Sequence, residues 1–192
     1  YWFGGANGLI RFTDPAGESH DAIWYRMGDK TYPLSHNRIR HIYEDKEQQL
    51  WIATDGSINR YDYATRQFIH YNIVDNTGTY NTNWTYYIFE DTAGQLWIST
   101  CLGGIFVVDK HKLMQSTSGQ YIAEQNYSVH NGLSGMFINQ IIPDNEGNVW
   151  VLLYNNKGID KINPRTREVT KLFADELTCL LYTSPSPRDS TS

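Results

Sequence analysis

The sequence predicts an all-β chain folded as a partial β-propeller: about three to four blades of four antiparallel strands, an open fragment of a larger ring. Three observations carry that prediction. The block Tyr1-Trp2-Phe3 recurs as Leu50-Trp51-Ile52, Leu96-Trp97-Ile98 and Val149-Trp150-Val151. Successive tryptophans are 49, 46 and 53 residues apart (51 − 2, 97 − 51, 150 − 97), the period of propeller blades rather than of helical solenoids. The upstream residues keep register with the last three tryptophans: Asp45, Asp91 and Asp144 stand six before, Ile42, Ile88 and Ile141 nine before. Gly94 and Gly147 stand three before, with Gln48 in the corresponding place.

Each unit reads as four strands. The first, as in 37–44, has apolar residues two to three apart and many β-branched or aromatic types, which favours a strand. Asp45-Lys46-Glu47-Gln48, Asp91-Thr92-Ala93-Gly94 and Asp144-Asn145-Glu146-Gly147 then supply a tight turn, because aspartate bonds the backbone two residues on and glycine accepts positive φ. Gln48 departs from that pattern and is expected to carry strain. The tryptophan run is the second strand, and its continuous apolar character suits a sheet covered on both faces. Third strands are expected at 58–62, 105–109 and 159–163, and outer, more polar fourth strands at 67–71 and 168–173. No stretch sustains a 3.6-residue apolar period, so helix is at most a minor component.

These elements divide the chain into a partial blade at 1–35 and blades at 36–82, 83–135 and 136–178. Tyr1 falls inside a second strand and no initiator methionine precedes it, so the chain is expected to be a piece of a longer reading frame. Residues 179–192, beginning Cys179-Leu180-Leu181-Tyr182-Thr183-Ser184-Pro185, read as the in-frame translation of a sequencing adapter and are expected to form no domain. Propellers close with about four to eight blades. An arc this short leaves two blade faces bare.

Composition excludes several classes of function. Sixteen Lys and Arg against 21 Asp and Glu leave a net charge of −5 with no basic run, which argues against nucleic acid as a partner. No apolar stretch approaches the ~18 residues of a membrane span, so any membrane attachment belongs to parent segments outside this chain. Two cysteines, Cys101 and Cys179, provide no disulfide framework, and Cys101 reads as a small buried residue. The six histidines show no metal-ligand spacing, and Asp144-Asn145-Glu146-Gly147 lacks the acid series of a calcium loop. Gly4-Gly5 and Gly103-Gly104 lack the lysine of a phosphate loop. Catalytic residues, metal and cofactors are therefore all expected to be none.

Recognition is expected on the face where the loops between second and third strands meet the blade-linking segments, since both vary in length here. The link 73–82 is polar and turn-rich, and the stretch after Asp109 is longer again. Arg38, Trp84 and Phe137 stand at the equivalent entry to each innermost strand. An arginine and aromatic rings at a channel mouth suit hydrogen bonding to and stacking on a sugar, which makes these three the candidate ligand-binding residues.

The repeat resembles the two-component regulator propeller repeat of bacterial hybrid sensor kinases. The pattern Asn-x-Ile-x-x-Ile-x-x-Asp-x-x-Gly-x-Leu-Trp-Ile-Gly-Thr, then Gly-Leu-x-x-Tyr-Asp, is followed from Asn37 to Asp62 and from Asn83 to Asp109. The third copy departs at Met136 and at Leu152-Leu153. The resemblance spans nearly all of 1–173. It implies a periplasmic sensor region of an inner-membrane protein, with the remaining blades and a histidine kinase elsewhere in the parent, a homodimeric parent, and an oligosaccharide ligand. Two other outputs remain open: a diguanylate cyclase parent, or a secreted binding or scaffold propeller without a kinase.

Overall fold

The computed structural model describes residues 1–13, 22–31, 33–117, 119–154 and 158–172. Four antiparallel sheets follow one another along the chain. The first contains β1 (Trp2–Gly5), β2 (Gly8–Phe12) and β3 (Ala22–Tyr25); the second contains β4 (Ile39–Glu44), β5 (Leu50–Thr54), β6 (Ser57–Asp62) and β7 (Gln67–Tyr71). After the two-residue β8 (Ile73–Val74) come β9 (Thr85–Glu90), β10 (Gln95–Thr100) and β11 (Ile105–Asp109). A short helix α1 (Lys110–Gln115) and β12 (Tyr121–Ile122) intervene before β13 (Gln125–Tyr127) completes the third sheet. The fourth contains β14 (Ile138–Pro143), β15 (Val149–Leu153), β16 (Ile159–Asn163) and β17 (Glu168–Leu172). Strands are ordered in each sheet as in the chain, and β4, β9 and β14 are neighbours, so the sheets stand as propeller blades around a common inner edge. The arc is open.

A repeated clamp explains the aspartate six residues before tryptophan. Asp45 accepts the backbone N–H groups of Glu47 and Gln49, each at 2.9 Å, and the Trp51 indole N–H at 2.9 Å. Asp91 does the same for Ala93, Gln95 and Trp97, and Asp144 for Glu146, Asn148 and Trp150. One carboxylate thus closes the hairpin and orients the ring on the next strand. At Asp144 these contacts, led by the Asn148 side-chain amide, hold the carboxyl down at about 2. The expected strain is present too: Gln48 has φ of 62°, the conformation that Gly94 and Gly147 adopt at 78° and 84°.

The tryptophans of the first three sheets pack across to the following sheet. Trp2 meets Tyr61 of the second sheet edge-on at 4.9 Å. Trp51 shares a core with Ile88, Leu96, Ile98 and Phe106 of the third sheet. Trp97 shares one with Ile138, Ile141, Val149 and Val151 of the fourth. Trp51 and Trp97 are fully buried, whereas Trp150, with no sheet beyond it among the described residues, is half-buried. Burying ~150–250 Å² per ring at ~25 cal/mol/Å² gives at most about 4–6 kcal/mol each, the same order as hydrogen bonds to a carboxylate contribute net. Clamp and packing therefore act together: the carboxylate aims the ring and the neighbouring sheet buries it.

Several details depart from the sequence expectation. The inner strand starts at Ile39 rather than Asn37, because Asn37 is occupied outside the ladder, its side-chain oxygen accepting the Met27 N–H at 2.7 Å. The outer strands β3 and β13 carry no clear strand pattern in the sequence. β13 is only three residues long and follows the α1–β12 insertion, which docks through the parallel pairing of β12 with β8. Phe173 and the stretch 179–192 lie outside the described residues.

Candidate functional site: the inner-strand face

The top of each inner strand is built alike. The Arg38, Trp84 and Phe137 carbonyls accept N–H groups from Asp55, Cys101 and Tyr154, the residues opening the hairpin after the tryptophan strand, at 3.3, 3.0 and 2.9 Å. The register then slips by one residue in all three sheets, leaving Arg40, Tyr86 and Asn139 as single-residue bulges. A bulge turns its side chain out of the alternation, so each blade places two inner-strand residues and one hairpin residue at the same edge. The linking segments lie against these hairpins, as the hydrogen bond from Trp84 N–H to Asp55 carbonyl at 3.0 Å shows.

Chemistry differs from blade to blade on this shared frame. In the second sheet, Arg40 grips Asp55 with Nε–Oδ1 at 2.6 Å and Nη2–Oδ2 at 3.2 Å and lies 4.6 Å over the Tyr86 ring. Arg38 approaches the same carboxylate at 3.7 Å but stays half exposed. In the third sheet, Trp84 is exposed and held at φ of 56°, a left-handed conformation that costs a bulky residue roughly 1–3 kcal/mol. Its ring borders a cavity of about 340 Å³ with Thr79, Tyr80, Asn81, Asn83 and Leu102. In the fourth, Phe137 joins Tyr86, Cys101, Ile138 and Tyr154 around a slot of about 200 Å³. Burial raises the Cys101 thiol's pKa, so its sulfur stays protonated and lines the slot as a small apolar surface.

Arg38, Trp84 and Phe137 thus share one edge of consecutive blades but not one cavity. The neighbours that complete the surface, Arg40, Asp55, Tyr86 and Tyr154, were not legible as site residues, because a bulge in one strand shows only against its paired partner. The described histidines are dispersed: His41 stacks on Tyr87 at 3.9 Å, His70 bonds the Gly56 carbonyl, and His111 meets Glu47 at 3.2 Å. Among the described residues no three metal-binding side chains cluster, and no helix is long and apolar enough to cross a membrane. The surface has an Arg–Asp fork, exposed aromatic faces and fixed spacing.

Comparison with known proteins places this architecture. A model of the two-component regulator propeller matches residues 33–56 and 132–155. No match was found among the curated proteins. Among solved structures, the extracellular domain of BT4673 from B. thetaiotaomicron, described once as a one component and once as a hybrid two component system, is 99% identical with a TM-score of 0.89. The match covers 92% of this chain and 24% of that one, so the chain spans about a quarter of that domain's length. The extracellular domain of BT3049, a hybrid two component system of the same organism, is 20% identical over 89% of this chain and 21% of its own, with a TM-score of 0.64. PorZ of Porphyromonas gingivalis is 15% identical over 89% and 25%, with a TM-score of 0.63. The last two share the fold.

Proposed function

This chain is built from two-component regulator propeller repeats, and from that premise we propose that it forms part of the extracytoplasmic sensor region of a hybrid two-component signalling protein. The observation that carries the reading is the 99% identity to an extracellular domain described as part of such a system. The segment itself performs no chemistry. Its parent, a membrane-anchored homodimer with further blades and a histidine kinase, is switched when a ligand favours one arrangement of the sensor over another.

The ligand we assign to the inner-strand face is an oligosaccharide, with Arg38, Trp84 and Phe137 as its contacts. Support comes from the common backbone frame that fixes these three side chains along one edge, and from the strain at Trp84, which keeps a large ring exposed. Sugars present apolar faces with hydroxyl edges, which suit exposed rings beside an Arg–Asp fork. The test is a glycan array on the complete extracellular domain, followed by calorimetry with each retained glycan on the variants Arg38→Ala, Trp84→Ala and Phe137→Ala. Trp84→Ala should weaken binding about tenfold, the loss of ~1–1.5 kcal/mol of stacking. Retention of no glycan overturns the ligand class, and unchanged affinity in all three variants overturns the site.

A further inference from the structure

The slot between the third and fourth blades differs in chemistry from the same place one blade earlier. On the shared frame, the bulge residue and the residue opening the hairpin are Arg40 and Asp55 in the second sheet, an ion pair at 2.6 Å, but Tyr86 and Cys101 in the third. Among the described residues, no charged side chain lines the resulting space of about 200 Å³. Of the residues around it, Ile138 and Cys101 are buried, while Phe137 and Tyr154 are 44% and 54% exposed. The Phe137 carbonyl accepts the Tyr154 N–H at 2.9 Å, which fixes these two residues at one edge of the fourth blade. From the second blade, the Arg40 guanidinium lies 4.6 Å over the Tyr86 ring.

Size and lining together select the occupant. The lining side chains offer the Tyr86 and Tyr154 hydroxyls and a thiol, too few partners for the hydroxyls around a sugar ring. A charged group would lose water there and gain no counter-charge. Tyr86, Phe137 and Tyr154 instead present aromatic rings, which attract a further ring edge-on or offset, and the Cys101 sulfur beside them is polarisable. An apolar cavity of roughly 150 Å³ accepts benzene, so a slot of about 200 Å³ holds one ring with a small substituent. Covering Phe137 and Tyr154 supplies the drive, since exposed apolar surface, unlike a solvated charge, gains by leaving water.

We infer that the slot binds a single aromatic ring, carried either by a free phenol or by the aryl substituent of a larger ligand. Tyr86, Phe137 and Tyr154 are its ring contacts, with the Cys101 sulfur beside them. Phe137 is shared with the oligosaccharide reading, but the inference goes beyond that reading and stands without it.

Saturation-transfer NMR titrations of the complete extracellular domain with p-cresol, phenyl β-D-glucopyranoside, methyl β-D-glucopyranoside and cyclohexanol test the assignment. At least one aryl probe should bind, and methyl glucoside and cyclohexanol should bind at least about threefold more weakly. Binding of p-cresol alone indicates a free phenol; tighter binding of phenyl glucoside indicates an aryl-bearing glycoside. Tyr154→Ala and Phe137→Ala, both at exposed side chains outside the core, should each weaken aryl binding about three- to tenfold. Ile122→Ala, at an exposed apolar residue of β12 away from the slot, should leave it unchanged. Binding of neither aryl probe, as when another part of the parent covers the slot, overturns the site. So does equal binding of methyl glucoside or cyclohexanol, unchanged affinity in both slot variants, or an equal loss in Ile122→Ala. Glycans retained on the array while both aryl probes stay unbound would overturn the slot and leave the oligosaccharide reading intact; the reverse result would do the opposite.

Discussion

At the scale of single residues, the Asp–Trp clamp makes a short-range spacing into a long-range contact. Six positions separate Asp91 from Trp97, and one carboxylate serves both the turn and the ring. Replacing Asp91 by alanine leaves three donors without that acceptor, one of them on a ring with 1% exposure. The expected cost is about 2 kcal/mol, read as a lowered midpoint in urea unfolding of the complete extracellular domain. A midpoint unchanged from the native domain would show that water replaces the carboxylate without loss.

At the scale of elements, two predictions separate local backbone strain from contacts between blades. Gln48 occupies a glycine position in its hairpin, so Gln48→Gly removes a left-handed non-glycine residue. Part of the relief is offset by the greater freedom of glycine in the unfolded chain, and a net gain of about 0.5 kcal/mol is expected in the same unfolding measurement. A loss would mean that the Gln48 side chain contributes more than its backbone costs. The first residue of α1, Lys110, binds the blades together: its fully buried ammonium lies 3.2 Å from Asp45 and 3.0 Å from Glu90, carboxylates of adjacent sheets. Lys110→Ala strands both acids in the interior and should cost about 3–5 kcal/mol. Burial opposes ionisation of Asp45 and of Lys110, yet the Trp51 indole, the Gln49 N–H and Lys110 still hold Asp45 below its ordinary value. Glu90 and Asp45 likewise hold Lys110 above its own. The sign follows for each group. The Asp45 contribution is complete above about pH 4 and fades as pH falls further, and the Lys110 contribution is complete below about pH 10 and fades above it. The native domain should therefore lose stability outside that window by more than the Lys110→Ala variant does; parallel pH profiles would refute the network's role.

At the scale of the whole molecule, the arc presents two sheet faces left uncovered among the described residues. Phe3, Phe12 and Trp24 are exposed on the first sheet, and Ile142 and Leu152 on the fourth. Patches of this kind drive association unless something covers them. Residues 1–178 expressed alone are expected to elute as polydisperse oligomers in size-exclusion chromatography with light scattering. A monodisperse, cooperatively melting monomer would sink that expectation.

The blade repeat and its strand assignments were readable because they are local: two-residue alternation, an aspartate and a glycine-type turn, and a tryptophan run all lie within about twenty consecutive residues. Arg38, Trp84 and Phe137 could be aligned for the same reason, as each sits at a constant offset from its tryptophan. What the tertiary structure alone decided depends on residues far apart in the chain. The bulges at Arg40, Tyr86 and Asn139 exist only against a paired strand. The Lys110 network joins a helix to a hairpin some 65 positions earlier (110 − 45). The cavity of about 530 Å³ lined by Asp75, Glu124 and Arg167 draws on three segments spread over about ninety residues (167 − 75). Hydrophobic periodicity specifies which face of a strand is buried; which polar groups then meet across two blades is set by how the blades pack, and one strand's sequence carries no record of its neighbour.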